Sequence, residues 1–475
     1  MTDQGTNNRN LYTKHLGVTV DEPFFMHEGK KVFAMYDPPH LIKSVRNNFK
    51  NHGFVIDGKD ILWQHVKEFY DADSSKPIKM APKLRKKHIH LPPFSPLRVR
   101  LATQVLSHSV ASGMGVLAQW GIISSEAIYT SHFIEKMDVL FNCFNSKTLS
   151  STAKMRHAFS ETSGHKDQLK ELKSWIQRIK TKGSREPPCL AGWQLAINAL
   201  LMMWDILRDD FNFQFLLTNR LNQDCVENLF SIIRAKGAQR DNPDTSQFRA
   251  AFRQVMVDSV MVPAKGANCE SDVDHFICSL ENVKAGSTPD EQVQPETSLM
   301  DMIPWSVKSI LSVCTVPTYE RDEDLTKQEN NILAYISGYI VRKLKGKICS
   351  PCANKIVGTL DPDHYAYQDF IAKKSYGKLI APSNTLLGVV QLLELKYRKV
   401  IDSVVHEEGI KAKLVRELGK VQRLQSLSCE SCHLQLLVVH MVVNIRLHHT
   451  IKEANHSLKE NKDRKNRKTI KFSHL

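Results

Sequence analysis

The sequence predicts an α/β chain in three stretches: a strand-bearing N-terminal part, a mostly helical middle and a helical C-terminal part. Three patterns carry this reading. Residues 31–36 alternate, with Phe33 and Met35 toward one face and Val32 and Ala34 toward the other, as a pleated strand requires. Between residues 60 and 210 apolar side chains recur at helical spacing instead, as in Phe133, Met137, Leu140, Phe141 and Phe144. Residues 266–300 lose both periods in a run of Glu, Asp, Ser, Thr, Gly and Pro, and helical spacing resumes over 330–344.

Taken in order, residues 3–8 are turn-rich and lead into a helix over 10–16. The strand ends at Pro38 and Pro39, which cannot donate to a ladder, and a helix follows with Ile42, Val45 and Phe49 on one stripe. Residues 145–160 are polar and predict a loop or a frayed helix, whereas 193–211 predict a strongly apolar helix. A helix carrying Asp224 and Glu227 has Val226, Leu229, Phe230 and Ile233 to pack inward and Gly237 to stop it. The core-packing explanation suffices for most of these stripes. The expected organisation is 1–58, a helical insertion over 59–210, a return over 211–265, a linker over 266–328, and a helical domain with a basic tail over 329–475.

A chain of 475 residues exceeds what one core usually holds. Net charge of +15 suits a polyanion such as DNA, although a solvated basic surface has the same signature. Ten cysteines are too sparse for a disulfide scaffold. No basic-then-apolar leader opens the sequence, and no uninterrupted apolar run reaches the roughly 18 residues of a membrane span. The longest candidate, 434–443, is broken by Gln435 and His440. The expectation is an intracellular, reducing compartment without a membrane partner. The tail over 461–468 reads equally as a nuclear import signal or as a solvated basic end.

Two groups of residues have the types needed for metal chemistry. Asp224 and Glu227, three apart on one helix, share a face, and carboxylates suit magnesium; an amphipathic helix with exposed acids looks the same. Asp3 and Asp37, before turn and proline residues, are ordinary turn positions by themselves. Cys349 with Cys352 and Cys429 with Cys432 form two CxxC pairs of zinc-knuckle spacing, with His433 and His440 as nearby alternative ligands. Reduced, buried thiols are the competing explanation.

Several phrases together resemble the P-element-type transposases, the group that includes the THAP-domain transposases. They are Asp3-Gln4-Gly5-Thr6-Asn7-Asn8, the stretch 35–47 beginning Met35-Tyr36-Asp37-Pro38-Pro39-His40, and Leu221-Asn222-Gln223-Asp224-Cys225-Val226-Glu227-Asn228. The flanking phrases over 215–220, 234–237 and 248–253 are similar too, as are 335–344 and 377–383 further on. The resemblance implies an RNase H-like core, only part of which is present, that is interrupted by a helical insertion and followed by a helical C-terminal domain. It implies that Asp3 and Glu227 are catalytic and hold Mg2+, with Asp37 of second rank and more structural. In the family, water first cuts the DNA and the freed 3′-hydroxyl then joins target DNA. The family's first catalytic Asp lies on an earlier strand, upstream of where Asp3 falls. The expectation is therefore a chain that no longer cuts.

The insertion of the family binds GTP, and 81–84, 96–107, 133–138 and 141–146 resemble its nucleotide-contacting segments. By that resemblance Lys83 and Arg98 meet phosphates, Val99 and Phe141 flank the base, Ser107 and Asn145 add hydrogen bonds, and Asp224 holds the nucleotide's magnesium. Asn142 stands where the family often has Asp, which weakens guanine selectivity, because an amide cannot accept two N–H bonds as a carboxylate does. No P-loop occurs in the sequence, so the nucleotide site comes from the resemblance alone. The expected function is a transposase or a transposase-derived protein of the nucleus, with transposon-end DNA as partner and a homo-oligomer as a further expectation. The alternative is a non-catalytic DNA-binding regulator, and a nucleotide-binding switch without a DNA role is a third reading.

Overall fold

The computed structural model describes residues 1–92, 96, 98–151, 153–182, 186–236, 244–257, 324–359, 367–377, 379–405 and 407–472. Gly237 and nearly all of the expected linker lie outside them. The fold is mixed α/β, rich in helix, with two small sheets. The described residues up to 257, apart from Ser75–Lys79, form one compact unit. Ser75–Lys79 and the residues from 324 onward form the other.

In the first unit the chain opens with Thr2 in a parallel bridge to Tyr36. The Thr2 N–H donates to the Met35 carbonyl at 3.2 Å, and the Asp37 N–H to the Thr2 carbonyl at 2.9 Å. Helix α1 (Thr6–Asn10) runs into a π-helical turn over Leu11–His15. Strands β1 (Phe24–His27) and β2 (Lys30–Phe33) form an antiparallel hairpin. Its turn places Glu28 and Gly29 at φ 49° and 74°, the left-handed pair that suits right-twisted strands. The strand expected over 31–36 is thus divided. Alternation stops at Ala34, because Ala34, Met35 and Tyr36 are all buried, whichever way they point.

Helix α2 (Pro38–His52) begins as its sequence dictates. Asp37 caps it by accepting from the His40 N–H, and two prolines fill positions where an N–H has no helical partner. Leu41, Ile42, Val45 and Phe49 are buried, and Phe49 sits 5.3 Å from the Trp63 and Phe133 rings and 6.3 Å from Phe54. Gly53, at φ 68°, ends the helix. Strands β3 (Phe54–Ile56) and β4 (Lys59–Ile61) turn at Asp57-Gly58, and β5 (Ile179–Thr181) pairs on the other side of β3, giving the order β4-β3-β5.

The middle is helical as expected: α3 (Trp63–Ser74), α4 (Lys86–Ile89), α5 (Val99–Val105), α6 (His108–Gln119), α7 (Ala127–Cys143), α8 (His165–Ile176) and α9 (Pro188–Asp209). Gly113 lets α6 close on α3, since a Cβ there would come within 2.8 Å of the Phe69 ring. Helix α9 corrects the expectation about apolar runs. By length and composition it could cross a membrane, because isolated polar residues such as Asn198 barely dilute it. In this unit it is a core helix, burying Trp193, Leu200 and Trp204.

Helices α10 (Asp224–Lys236) and α11 (Thr245–Val257) pair through Ile232, Ile233, Ala251 and Val255. Val226 and Phe230, expected to pack inward, are exposed instead. Leu229 and Ile233 pack against α11 as expected, and the Phe230 ring, though exposed, lies 6.1 Å from the Phe248 ring of that helix.

The second unit contains α12 (Lys327–Leu344), α13 (Ser350–Ile356), α14 (Asp369–Lys374), α15 (Asn384–Val404), α16 (Ile410–Leu418) and α17 (Leu434–Phe472), the last of which carries the basic tail as helix. Thr326 and Glu329 form a reciprocal cap on α12, so the helix starts inside the span assigned to the linker. A buried ion network joins three of these helices. Arg398 bonds Glu394 at 2.9 Å and Glu329 at 2.8 Å. Glu394 pairs with Arg446 at 2.7 Å, where the N–H is off-line and the contact is ionic.

Candidate functional site

The N-terminus of α2 and the N-terminus of α10 meet at Asp37. This buried carboxylate accepts from the Gln223 N–H at 2.8 Å through Oδ1 and from the His40 N–H at 3.2 Å through Oδ2. Burial pushes its pKa up, and the two N–H bonds and the neighbouring His40 oppose that push. Gln223 also donates to the Met1 carbonyl at 3.3 Å, which ties the chain start to the same place.

Around this joint the sequence-predicted acids converge. Glu227, one turn into α10, bonds His40 Nε2 at 2.9 Å, and that hydrogen bond chiefly holds its carboxyl below the usual range. Asp3 accepts from the Gly5 N–H at 2.8 Å and from Asn8 Nδ2 at 2.7 Å, and the Gly5 bond leads the lowering of its pKa. Lys43 feels the charges of Glu227, Asp37 and Asp3, while its burial pushes its ammonium pKa down. Asp3, Asp37 and Glu227 are therefore brought together. Asp224 stands at the start of α10, where it exchanges hydrogen bonds with Asn222. Sequence reasoning gave no role to His40 or Lys43. Their signal was there: a His and a Lys three apart, in the first turns of the helix that Asp37 caps.

The residues assigned to a nucleotide spread over the insertion. Lys83 and Arg98 are exposed, Val99 is buried and Phe141 half-buried. Ser107 lies just before α6 and donates to the Gln104 carbonyl at 3.1 Å. Asn142 and Asn145 are buried, and Asn142 Nδ2 donates to Asp138 at 3.0 Å. Burial pushes the Asp138 carboxyl up to about 7, against the bond it accepts from the His108 N–H.

In the second unit the two CxxC pairs meet. Cys349 lies 3.6 Å from Cys429 and 3.7 Å from Cys432, sulfur to sulfur, and Cys429 lies 3.5 Å from Cys432. With Cys352 they form, among the described residues, the one group of three or more Cys, His, Asp or Glu side chains whose ligand atoms are close enough to share an ion; Asp3, Asp37 and Glu227 form no such group. His433 and His440 are outside that set. The Cys432 N–H leads in pushing the Cys429 thiol down to about 6, and burial pushes Cys352 up.

Three family models match the chain. "TNP-like, GTP-binding insertion domain" covers residues 39–157, "TNP-like, RNase H C-terminal domain" covers 219–253, and "DNA transposase THAP9, C-terminal domain" covers 323–452. A curated relative, the Transposable element P transposase of Drosophila melanogaster, is 27% identical over 407 residues, which are 83% of this chain and 50% of that protein. A chain of the solved Drosophila P element transposase strand transfer complex matches with TM-score 0.50 at 29% identity, covering 54% of this chain and 59% of that one.

These matches support a place in the P-element-type transposase family.

The chain spans about half the length of the curated relative it matches. Asp3 and Asp37 lie outside all three matches, and the other candidate residues of this chain are divided among them. His40, Lys43 and the nucleotide residues from Lys83 to Asn145 fall in the insertion match. Asp224 and Glu227 fall in the RNase H match, and all four cysteines in the C-terminal match.

Proposed function

We propose that this chain is a DNA transposase of the P-element type, or a protein derived from one, acting on transposon ends in the nucleus. The convergence of Asp3, Asp37 and Glu227 around His40 and Lys43, from positions some 190 residues or more apart in the case of Glu227, carries the reading. Asp3 and Glu227 are the metal-holding carboxylates of an RNase H-like core. Each keeps an oxygen, Oδ2 or Oε2, outside the hydrogen bonds made by Oδ1 and Oε1, and such hard donors fit Mg2+. Magnesium bound there would stabilise charge on the attacking and leaving oxygens of a phosphodiester. His40 orients Glu227, and Lys43 offsets the negative charge that a phosphate brings among carboxylates. Asp37 fixes the spacing of the two helices by occupying both its oxygens on backbone N–H groups.

The insertion binds a guanine nucleotide in this reading. Lys83 and Arg98 meet its phosphates, Val99 and Phe141 its base, Ser107, Asn142 and Asn145 its polar edge, and Asp224 its magnesium. One Asn142 N–H is engaged by Asp138, and the amide offers a base a single acceptor oxygen, so selectivity for guanine is weaker than a carboxylate would give.

The test is nicking and strand transfer on transposon-end duplex with Mg2+, beside Asp3→Ala and Glu227→Ala. Activity that falls to background in both variants, with duplex binding kept, supports the catalytic assignment. Duplex binding without cleavage by the unaltered chain overturns the catalytic assignment and leaves the non-cutting derivative that the sequence leads one to expect.

A further inference from the structure

We propose that Cys349, Cys352, Cys429 and Cys432 form a closed, four-thiolate zinc centre that staples the start of α13 to the start of α17. It rests on the sulfur geometry and is independent of the transposase reading.

The four sulfurs lie within 4.8 Å of one another. Zn–S bonds of about 2.3 Å in a tetrahedron put neighbouring sulfurs about 3.8 Å apart. The observed separations of 3.5, 3.6 and 3.7 Å are close to that edge. They are far from the roughly 2.05 Å of a disulfide, and all four residues are free thiols. Four sulfur donors exclude hard cations such as magnesium or calcium, which take oxygen. Four protein ligands also leave no open position for a water or a substrate, which marks a structural rather than a catalytic centre.

Each pair is held by its own backbone turn. Cys349 caps α13, and its carbonyl accepts from the Ala353 N–H at 2.9 Å, with Pro351 in the first turn. The Cys429 carbonyl accepts from the His433 N–H at 3.2 Å, and His433 takes φ 49° to bring the chain into α17. Two preformed half-sites 80 residues apart thus face each other. Zinc would displace the thiol protons and close that 80-residue loop, so that binding energy becomes folding energy. The beneficiary is α17, whose first turns bury Leu434, Val438, Val439, Val442 and Val443.

The experiment measures metal content of the full chain purified from zinc-supplied cells without chelator. About one zinc per chain is expected. Cys352→Ser and Cys429→Ser should each lower it severalfold, and Cys225→Ser, outside the quartet, should leave it unchanged. Because the quartet variants can misfold, cobalt is titrated into the zinc-stripped unaltered chain as a second reading. Saturation at one cobalt, with thiolate charge-transfer and tetrahedral ligand-field bands, supports the centre. The proposal is overturned by a folded chain that holds no zinc and shows no such cobalt bands. It is also overturned by iron in place of zinc, or by a Cys349–Cys429 disulfide in the reduced preparation.

Discussion

Asp37 shows how one residue can look catalytic and act as a joint. Its carboxylate satisfies two backbone N–H groups, one on each of the helices that bring His40 and Glu227 together. Asp37→Ala removes a helix cap and leaves the Gln223 N–H without its acceptor. It should lower stability by about 2–3 kcal/mol, read by urea unfolding. The sequence showed only a turn position before Pro-Pro, not the cap. It could not show the Gln223 contact, which joins residues 186 positions apart. His40 and Lys43 escaped for the same reason, since their partners lie on α10. Two buried histidines make a second residue-scale prediction. His88 accepts from the Arg85 N–H and bonds Gln104, His165 bonds the Met155 carbonyl, and burial pushes each down to about 4. The unfolded chain, with histidines near 6.5, binds protons there that the folded chain refuses. Their contribution is therefore intact above pH 6.5 and lost as pH falls toward 4, with a slope of up to about 2.7 kcal/mol per pH unit for the pair. His88→Gln should flatten the fall in melting temperature between pH 6.5 and 4. An unchanged slope would mean that His88 is protonated in the fold.

At the scale of elements, legibility followed locality. Helix α2 was readable because its prolines and its apolar stripe all lie within its own 15 residues. Strands β3 and β4 were missed although Asp57-Gly58 is a strong hairpin signal, because three-residue strands carry too little alternation. Strand β5 has no local signal, for its partner is β3, over 100 residues earlier. The exposure of Val226 and Phe230 was unreadable as well: the stripe told which residues are apolar, not how much of each α11 would cover. The ion network of α12, α15 and α17 is the least legible element, since buried Glu and Arg run against composition rules. Glu394, fully buried, faces both Arg398 and Arg446. Glu394→Ala leaves Arg446 without its carboxylate and Arg398 with Glu329 alone, and should destabilise the second unit by about 3–5 kcal/mol. Replacing Glu394 and Arg446 together by Leu and Met should recover much of that loss in thermal melts. If the single variant melts like the parent, the network is not a determinant of packing.

Across the whole molecule, the excess charge is unevenly placed, and that placement predicts how DNA would be held. Residues 80–125 contain no Asp or Glu but include Lys83, Arg85, Lys86, Lys87, Arg98 and Arg100. Of these, Lys83, Lys86, Lys87, Arg98 and Arg100 are exposed around α4 and the start of α5, which the His88–Gln104 bond holds together. A cluster of exposed cations binds phosphate without reading bases, and its affinity falls with salt as counterions are released. Each neutralised phosphate contributes about 0.9 to the slope of log affinity against log salt for duplex DNA. Lys86→Gln, Lys87→Gln and Arg100→Gln combined should therefore reduce that slope by up to about 2.7 when duplex binding is followed by fluorescence anisotropy. Lys83 and Arg98 are left in place, so binding of a fluorescent guanine nucleotide should not change. A triple variant with the parent's slope would put the DNA contacts elsewhere, while a matching loss of nucleotide binding would mean that this basic surface serves the nucleotide's phosphates instead.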